Sequence, residues 1–345
     1  MESREKIFKM RELTIPINDV KIFDNRYILR ENFPFTSITF PANIYDAIII
    51  KPCGEKSFSP QFPNFNHSID DYISFVNKHG LIKALVISND IAFLEKCPTL
   101  KYLTIIPSDS ASENFDFSPL YKLKGLLYLR CHTEYGYNFE KNSTIDYSNI
   151  SDLLMLDISS GGHLNSNRIK TLKTLSVAEY KEKNLYNLFG SECLETLQIV
   201  NSRICDLSGI EQSKRLQRLE LLYNRHLEDI SSLEATSETL KSLNIKNCSK
   251  IKDFSVIERL EKLESLSLYG SNNLPDLTFL KKLKSLKAFG FDVNVLNGDL
   301  TPCLSLDHAF CARVRRNYNL KNSDLPKNAI PPNLGYEGID DWRQF

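Results

Sequence analysis

Apolar positions along much of this chain follow a mixed rhythm. In LESLSLYGSNNLPDL, residues 263–277, Leu263, Leu266 and Leu268 stand three and then two apart, and Leu274 and Leu277 three apart. A helix face repeats apolar residues at three and four. A half-buried strand repeats them at two. Neither alone produces this spacing. The same signature, apolar at positions 1, 4 and 6, begins at Ile82, Leu100, Leu126, Leu153, Leu172, Leu194, Leu216, Leu240, Leu263 and Leu286. The intervals are 18, 26, 27, 19, 22, 22, 24, 23 and 23 residues, so the last five are nearly regular.

A second signature lies between these starts: Asp, an apolar residue, Ser or Thr, any residue, then Leu or Ile. It reads DFSPL at 116, DYSNI at 146, DLSGI at 206, DISSL at 229, DFSVI at 253 and DLTFL at 276. Apolar residues then follow three apart, as in Leu280, Leu283 and Leu286, which is the period of a 3₁₀ helix. Asp and Ser cap the orphan N–H groups at the start of such a turn. The pattern predicts a coil made of a short strand and a tight convex turn. One coil cannot bury its leucines, but stacked neighbours can.

The recurrence resembles the leucine-rich-repeat family, especially its short-repeat, internalin-like subclass. The family pattern LxxLxLxxN is met by Leu216, Leu219, Leu221 and Asn224. The resemblance implies an α/β solenoid: a horseshoe with a parallel concave sheet, short 3₁₀ or irregular convex segments and about ten repeats. It divides the chain into an N-terminal β-rich cap over 1–75, a repeat array over 76–298, and a C-terminal cap and extended tail over 299–345. DDYISFVNKH is predicted to lead into the array as a short helix. Position 9 departs from the family's Asn at most coils. Glu134, Gly161 and Tyr180 fit it worst and put coil geometry between 130 and 182 in question.

With positions 1, 4 and 6 inside, alternation places 3, 5 and 7 on the concave face and 8 at its edge. Two clusters result. The first is Tyr102, Tyr128, Arg130, His132 and Asp157; the second is Arg218, Glu220, Leu222, Tyr223, Lys246 and Tyr269. Tyr and Arg dominate interface hot spots, although an ordinary solvated sheet face would show the same residue types. Long irregular segments at 107–115, 133–144 and 160–168 add loop candidates Tyr135, Tyr137 and Phe139.

Composition narrows the function. Lys plus Arg equals Asp plus Glu, 43 each, so no bulk charge draws the chain to nucleic acid or an anionic membrane. Apolar residues reach 42%, enough for a sizeable core. No apolar run approaches the ~20 residues of a membrane span, and the charged start lacks a secretory h-region. Eight cysteines without CxxC spacing read as free thiols in a reducing, cytoplasmic setting. Cys303, His308 and Cys311 lack the paired spacing of a zinc site and read as part of a capping segment. No P-loop, GxGxxG, HExxH or GxSxG motif occurs. Lys281, Lys282, Lys284 and Lys287 form a basic run without interleaved stacking aromatics, which reads as a solvated edge. The expectation is a non-enzymatic protein-binding module, monomeric in isolation, without metal, cofactor, nucleic-acid or membrane partner. Narrower alternatives are an inhibitor or immunity protein neutralising a toxin or enzyme, and a regulatory or scaffold subunit. An enzyme would need a convergent acid–base set, which only Arg130, His132 and Asp157 approach.

Overall fold

The computed structural model describes residues 48–52, 68–107, 115–131, 145–150, 152–159, 163–188 and 190–328. The chain divides into two compact units, the second beginning at Leu154 apart from the short stretch 162–164, which belongs to the first.

In the first unit, helix α1 (Ile69–His79) starts at Ser68, whose Oγ accepts a bond from the Asp71 N–H while Asp71 Oδ2 accepts one from the Ser68 N–H, at 3.2 and 2.9 Å. This reciprocal pair satisfies donors that a helix start leaves open. Gly80, at φ 57°, ends the helix in the left-handed region where a Cβ is costly. Tyr72, Phe75 and Val76 form the buried stripe, and the Tyr72 hydroxyl donates to the Lys51 carbonyl at 3.2 Å. The unit's sheet runs in parallel order through β1 (Ile48–Ile50), β2 (Lys83–Ile87), β3 (Tyr102–Ile106) and β4 (Tyr128–Cys131). Two short strands, β5 (Ile145–Asp146) and β7 (His163–Leu164), pair separately.

The register corrects the phase of the first coil. Ala84 faces Leu103 and Val86 faces Ile105, and the Lys101 N–H donates to the Ile82 carbonyl as later coils do from position 2 to position 2. The coil therefore starts at Leu81, not Ile82, and the Ile82 side chain is exposed. Both frames of LIKALVI satisfy the apolar pattern, so the sequence could not choose; pairing with β3 does.

The second unit has a parallel sheet in the order β6 (Met155–Ser159), β8 (Thr174–Ala178), β9 (Thr196–Val200), β10 (Arg218–Leu222), β11 (Ser242–Lys246), β12 (Ser265–Tyr269), β14 (Ala288–Phe291) and β16 (His308–Cys311). A small pair, β13 (Asn273–Leu274) with β15 (Asn294–Val295), lies outside it. Position 4 of every coil meets its equivalent: Leu156, Leu175, Leu197, Leu219, Leu243, Leu266, Phe289 and Ala309 lie side by side, all buried. Burying one such leucine stabilises the stack by about 2 kcal/mol. Phe289 and Phe291 stack at 4.8 Å where larger rings replace leucine. Past 298, a turn at Thr301–Ser305 and β16 add one more parallel strand.

The convex side consists of 3₁₀ turns introduced by the Asp signature. Asp206, Asp229, Asp253 and Asp276 each accept the N–H two residues on, at 2.7–2.8 Å. Asp116 and Asp146 do the same in the first unit at 2.8 and 2.9 Å. Two copies outside the strict signature, Asp90 and Asp299, form the same bond at 2.7 and 2.9 Å.

Inside the bend after each strand, position 9 ties coils together. Asn224 Nδ2 donates to the Ile199 carbonyl and Asn224 Oδ1 accepts the Ser202 N–H, both at 2.9 Å. Cys248 reaches the Leu221 carbonyl with its thiol. Tyr180 does not break the geometry, because its N–H donates to Ser202 Oγ and its carbonyl accepts from Arg203, at 2.9 and 2.8 Å. In the coil from Leu263 the buried amide is Asn272 rather than Ser271: Ser271, after Gly270 at φ 139°, is exposed, and Asn272 Nδ2 donates to the Cys248 and Ile251 carbonyls. Glu134 and Gly161 lie outside the described residues.

Candidate functional site

Across β9 to β12 the residues facing away from the aliphatic stack form three rows. Position 3 reads Thr196, Arg218, Ser242, Ser265; position 5 reads Gln198, Glu220, Asn244, Ser267; position 7 reads Val200, Leu222, Lys246, Tyr269. The second predicted cluster is thus assembled: Leu222, Lys246 and Tyr269 are immediate neighbours on three strands, with Glu220 and Arg218 two and four residues back along β10.

The rows are not uniformly open. Position 5 closes on itself: Ser176 Oγ donates to Gln198 Oε1, Gln198 Nε2 to Glu220 Oε2, and Arg218 Nε to Glu220 Oε1, each at 2.9 Å. Arg218 Nη2 adds an ion pair to Glu220 Oε1 at 2.8 Å. Glu220 is 1% exposed and Gln198 0%, so this line is the floor of the face and not a displayed acid. Burying a carboxylate is tolerable only when its charge and lone pairs are met, which Arg218 and Gln198 accomplish. Leu222 is buried as well, while Arg218, Tyr223, Lys246 and Tyr269 keep partial exposure.

Position 8 forms the rim, and it carries a backbone device that the spacing did not reveal. Glu179, Asn201, Tyr223, Asn247 and Gly270 occupy it in five successive coils, and all have positive φ: 57°, 46°, 59°, 56° and 139°. Each of the first four donates its N–H to the next coil, as Tyr223 does to the Lys246 carbonyl at 2.7 Å. Gly and Asn occupy this region readily, whereas a bulky side chain there is a genuine outlier. Tyr223 is such an outlier, and Lys246 Nζ sits 5.6 Å from its ring centroid.

Past the rim, the same coils form a groove of about 250 Å³ lined by Glu179, Lys181, Arg203, Tyr223, Arg225 and His226, together with Asn201 and Ser202. Sequence reading missed this groove. Its signal was present, since Lys181, Arg203 and Arg225 all stand at position 10 of their coils.

In the first cluster, Tyr102 and Tyr128 pair in register within the first unit and Arg130 lies two residues along β4. Tyr128 and Arg130 are each 7% exposed. Asp157 belongs to β6 of the second unit. His132, Tyr135, Tyr137 and Phe139 lie outside the described residues.

Burial pushes Cys97, Cys248 and Cys311 up to about 11 and Cys303 to about 12, so they are protonated at neutral pH. Among the described residues no three His, Cys, Asp or Glu side chains gather to hold a metal ion, Cys303, His308 and Cys311 included. Among the described residues no helix is long and apolar enough to cross a membrane.

No protein-family model matches the sequence. The disease resistance protein RPS4B of Arabidopsis thaliana is 40% identical over 57 residues, which cover 16% of this chain and 5% of that protein. Among solved structures, an internalin (inlF) from Listeria monocytogenes is 18% identical with a TM-score of 0.48, covering 80% of this chain and 86% of its own. The TLR13–ssRNA13 complex is 20% identical with a TM-score of 0.50, covering 74% of this chain and 47% of its own.

Proposed function

We propose, from the premise that this chain has the leucine-rich-repeat fold, that it is a non-enzymatic module that binds another protein. The observation that carries the reading is the alignment of Leu222, Lys246 and Tyr269 on three adjacent strands beside the left-handed Tyr223. Tyr223 and Tyr269, partly exposed on a rigid sheet, are of the residue type that interface hot spots favour, and Leu222 lies buried beneath them. The eight strands of the second unit, at ~4.8 Å each, give a sheet about 34 Å long. A sheet of that length can present the ~800 Å² that a standard interface needs from one partner.

Glu220, the buried acid of the face, is engaged by Arg218 and Gln198. The chain is read as acting in a reducing, cytoplasmic setting, which its free thiols suit. Its partner is read as protein and not nucleic acid.

The test starts from capture of a partner on the immobilised chain from its source cells. The purified partner is then titrated against wild type and Lys246→Ala/Tyr269→Ala. At least tenfold weaker binding with an unchanged circular dichroism spectrum is the expected result. Equal affinity would remove this face from the interface.

A further inference from the structure

Five of the buried serines among the described residues have a hydrogen-bond partner for their hydroxyl. Ser88, Ser176, Ser191, Ser202 and Ser213 each donate to an oxygen at 2.7–3.4 Å. Ser265 and Ser267 differ: they are 3% and 8% exposed, and neither side chain bonds another described residue. Both stand on β12, two residues apart, on the face away from the aliphatic stack. Their neighbours in register on β14 are Ala288 and Gly290, which carry no hydrogen-bonding side chain. On the other flank Asn244 stands in register with Ser267, and its Oδ1 is buried without a hydrogen-bond partner. The bonded line of position 5 runs from Ser176 through Gln198 to Glu220 and stops one strand short of Asn244. A buried polar atom left unmet destabilises the chain that carries it, and native structures hold few.

We infer that Asn244, Ser265 and Ser267 form a subsite for one carboxamide, an Asn or Gln side chain of the partner; the inference rests on the protein-binding reading and specifies the chemistry of one contact. A carboxamide donates through its nitrogen and accepts through its oxygen. Its NH₂ meets Asn244 Oδ1, and its oxygen takes the hydroxyl of Ser267 or Ser265. Adjacent strands are ~4.8 Å apart, which brings Asn244 and Ser267 within reach of a single amide group. A side chain and not a main chain is the occupant, because the serines lie at the floor of the face. Lys246 and Tyr269 follow two residues along the same strands, so a partner seated on them overlies the subsite. A charged occupant fits worse. A carboxylate would face Asn244 Oδ1 beside Glu220, and an ammonium group would find Glu220 already held by Arg218 and Gln198. Burying a charge without its counter-ion is costly.

The test uses the full chain labelled with ¹⁵N and three small probes, acetamide, acetate and methylammonium, followed by NMR. Acetamide is expected to shift the Asn244 side-chain amide and the Ser267 backbone amide saturably, and to leave the exposed Asn247 side chain unmoved. The two charged probes are expected to leave Asn244 unmoved. In Asn244→Leu the Ser267 response to acetamide is expected to vanish. Ser267→Ala is expected to melt at or above the wild-type temperature, because it removes an unmet hydroxyl; a hydroxyl with a structural bond would lower the melt. Absence of a saturable shift at Asn244, an equal or larger shift with acetate or methylammonium, a Ser267 response that survives Asn244→Leu, or a lower melt for Ser267→Ala would each overturn the inference. The probes need no partner, so failure here leaves the protein-binding reading to its own titration.

Discussion

Gln198 Nε2 donates to Glu220 Oε2 at 2.9 Å across β9 and β10, and the carboxylate that receives it is 1% exposed. The bond holds an ionised group in the floor of the sheet face, with Arg218 closing the other oxygen at 2.8 Å. Glu220→Ala strands both donors. The expected loss is about 2–3 kcal/mol, read by urea denaturation. Arg218→Ala in the same background is expected to recover part of it, because the orphaned cation is then gone.

The convex caps predict an acid-side signature. Bonds from Ser255 and Thr278 hold the Asp253 and Asp276 carboxyls below their ordinary values. A folded value below the unfolded one contributes stability that is complete above the unfolded pKa of ~3.9 and is lost as pH falls through the lowered folded value. Asp253→Ala and Asp276→Ala should each cost about 0.5–1 kcal/mol at neutral pH. The gap between wild type and variants should narrow as pH drops below about 4. Thermal melts across that range check the direction.

Tyr223 is the bulkiest rim residue on its left-handed backbone, at φ 59° in a row that elsewhere uses Asn twice, Gly once and Glu once. Tyr223→Gly removes the left-handed penalty of about 1–2 kcal/mol and loses a ring–cation contact of about 0.5 kcal/mol. The variant should therefore be more stable by about 0.5–1 kcal/mol while binding the partner less tightly. A calorimetric melt and the partner titration together read that trade-off.

Thiol reactivity should divide by burial. Among the described residues Cys97, Cys131, Cys248, Cys303 and Cys311 are buried, whereas Cys193 and Cys205 are partly open. Iodoacetamide at pH 8 is expected to modify Cys193 and Cys205 first and to reach the buried five only after denaturant is added. Peptide mass spectrometry gives the order.

The strand–turn rhythm was legible because its causes are local. Leu216, Leu219 and Leu221 must face one way, and Asp229 caps the turn through the residue two places on. The phase at Leu81 was not legible, since two frames of LIKALVI are equally apolar. Counting nine from Leu263 chose Ser271, because a fixed count cannot anticipate a bend that turns Ser271 out and Asn272 in. The site was legible as rows but not as depth. Whether Glu220 is displayed or buried depends on Gln198, 22 residues earlier, and that pairing exists only once the register is set. The groove was missed for a related reason: Lys181, Arg203 and Arg225 are unremarkable singly and become a stripe only when coils stack.

Side-chain footprinting by hydroxyl radicals, free against partner-bound, tests the central claim most directly. Tyr223 and Tyr269 lie on the proposed interface, and Tyr186, 51% exposed, lies on a turn away from it. The account predicts that binding slows oxidation of Tyr223 and Tyr269 and leaves Tyr186 unchanged. Protection of Tyr186 with Tyr223 and Tyr269 unaffected would contradict it.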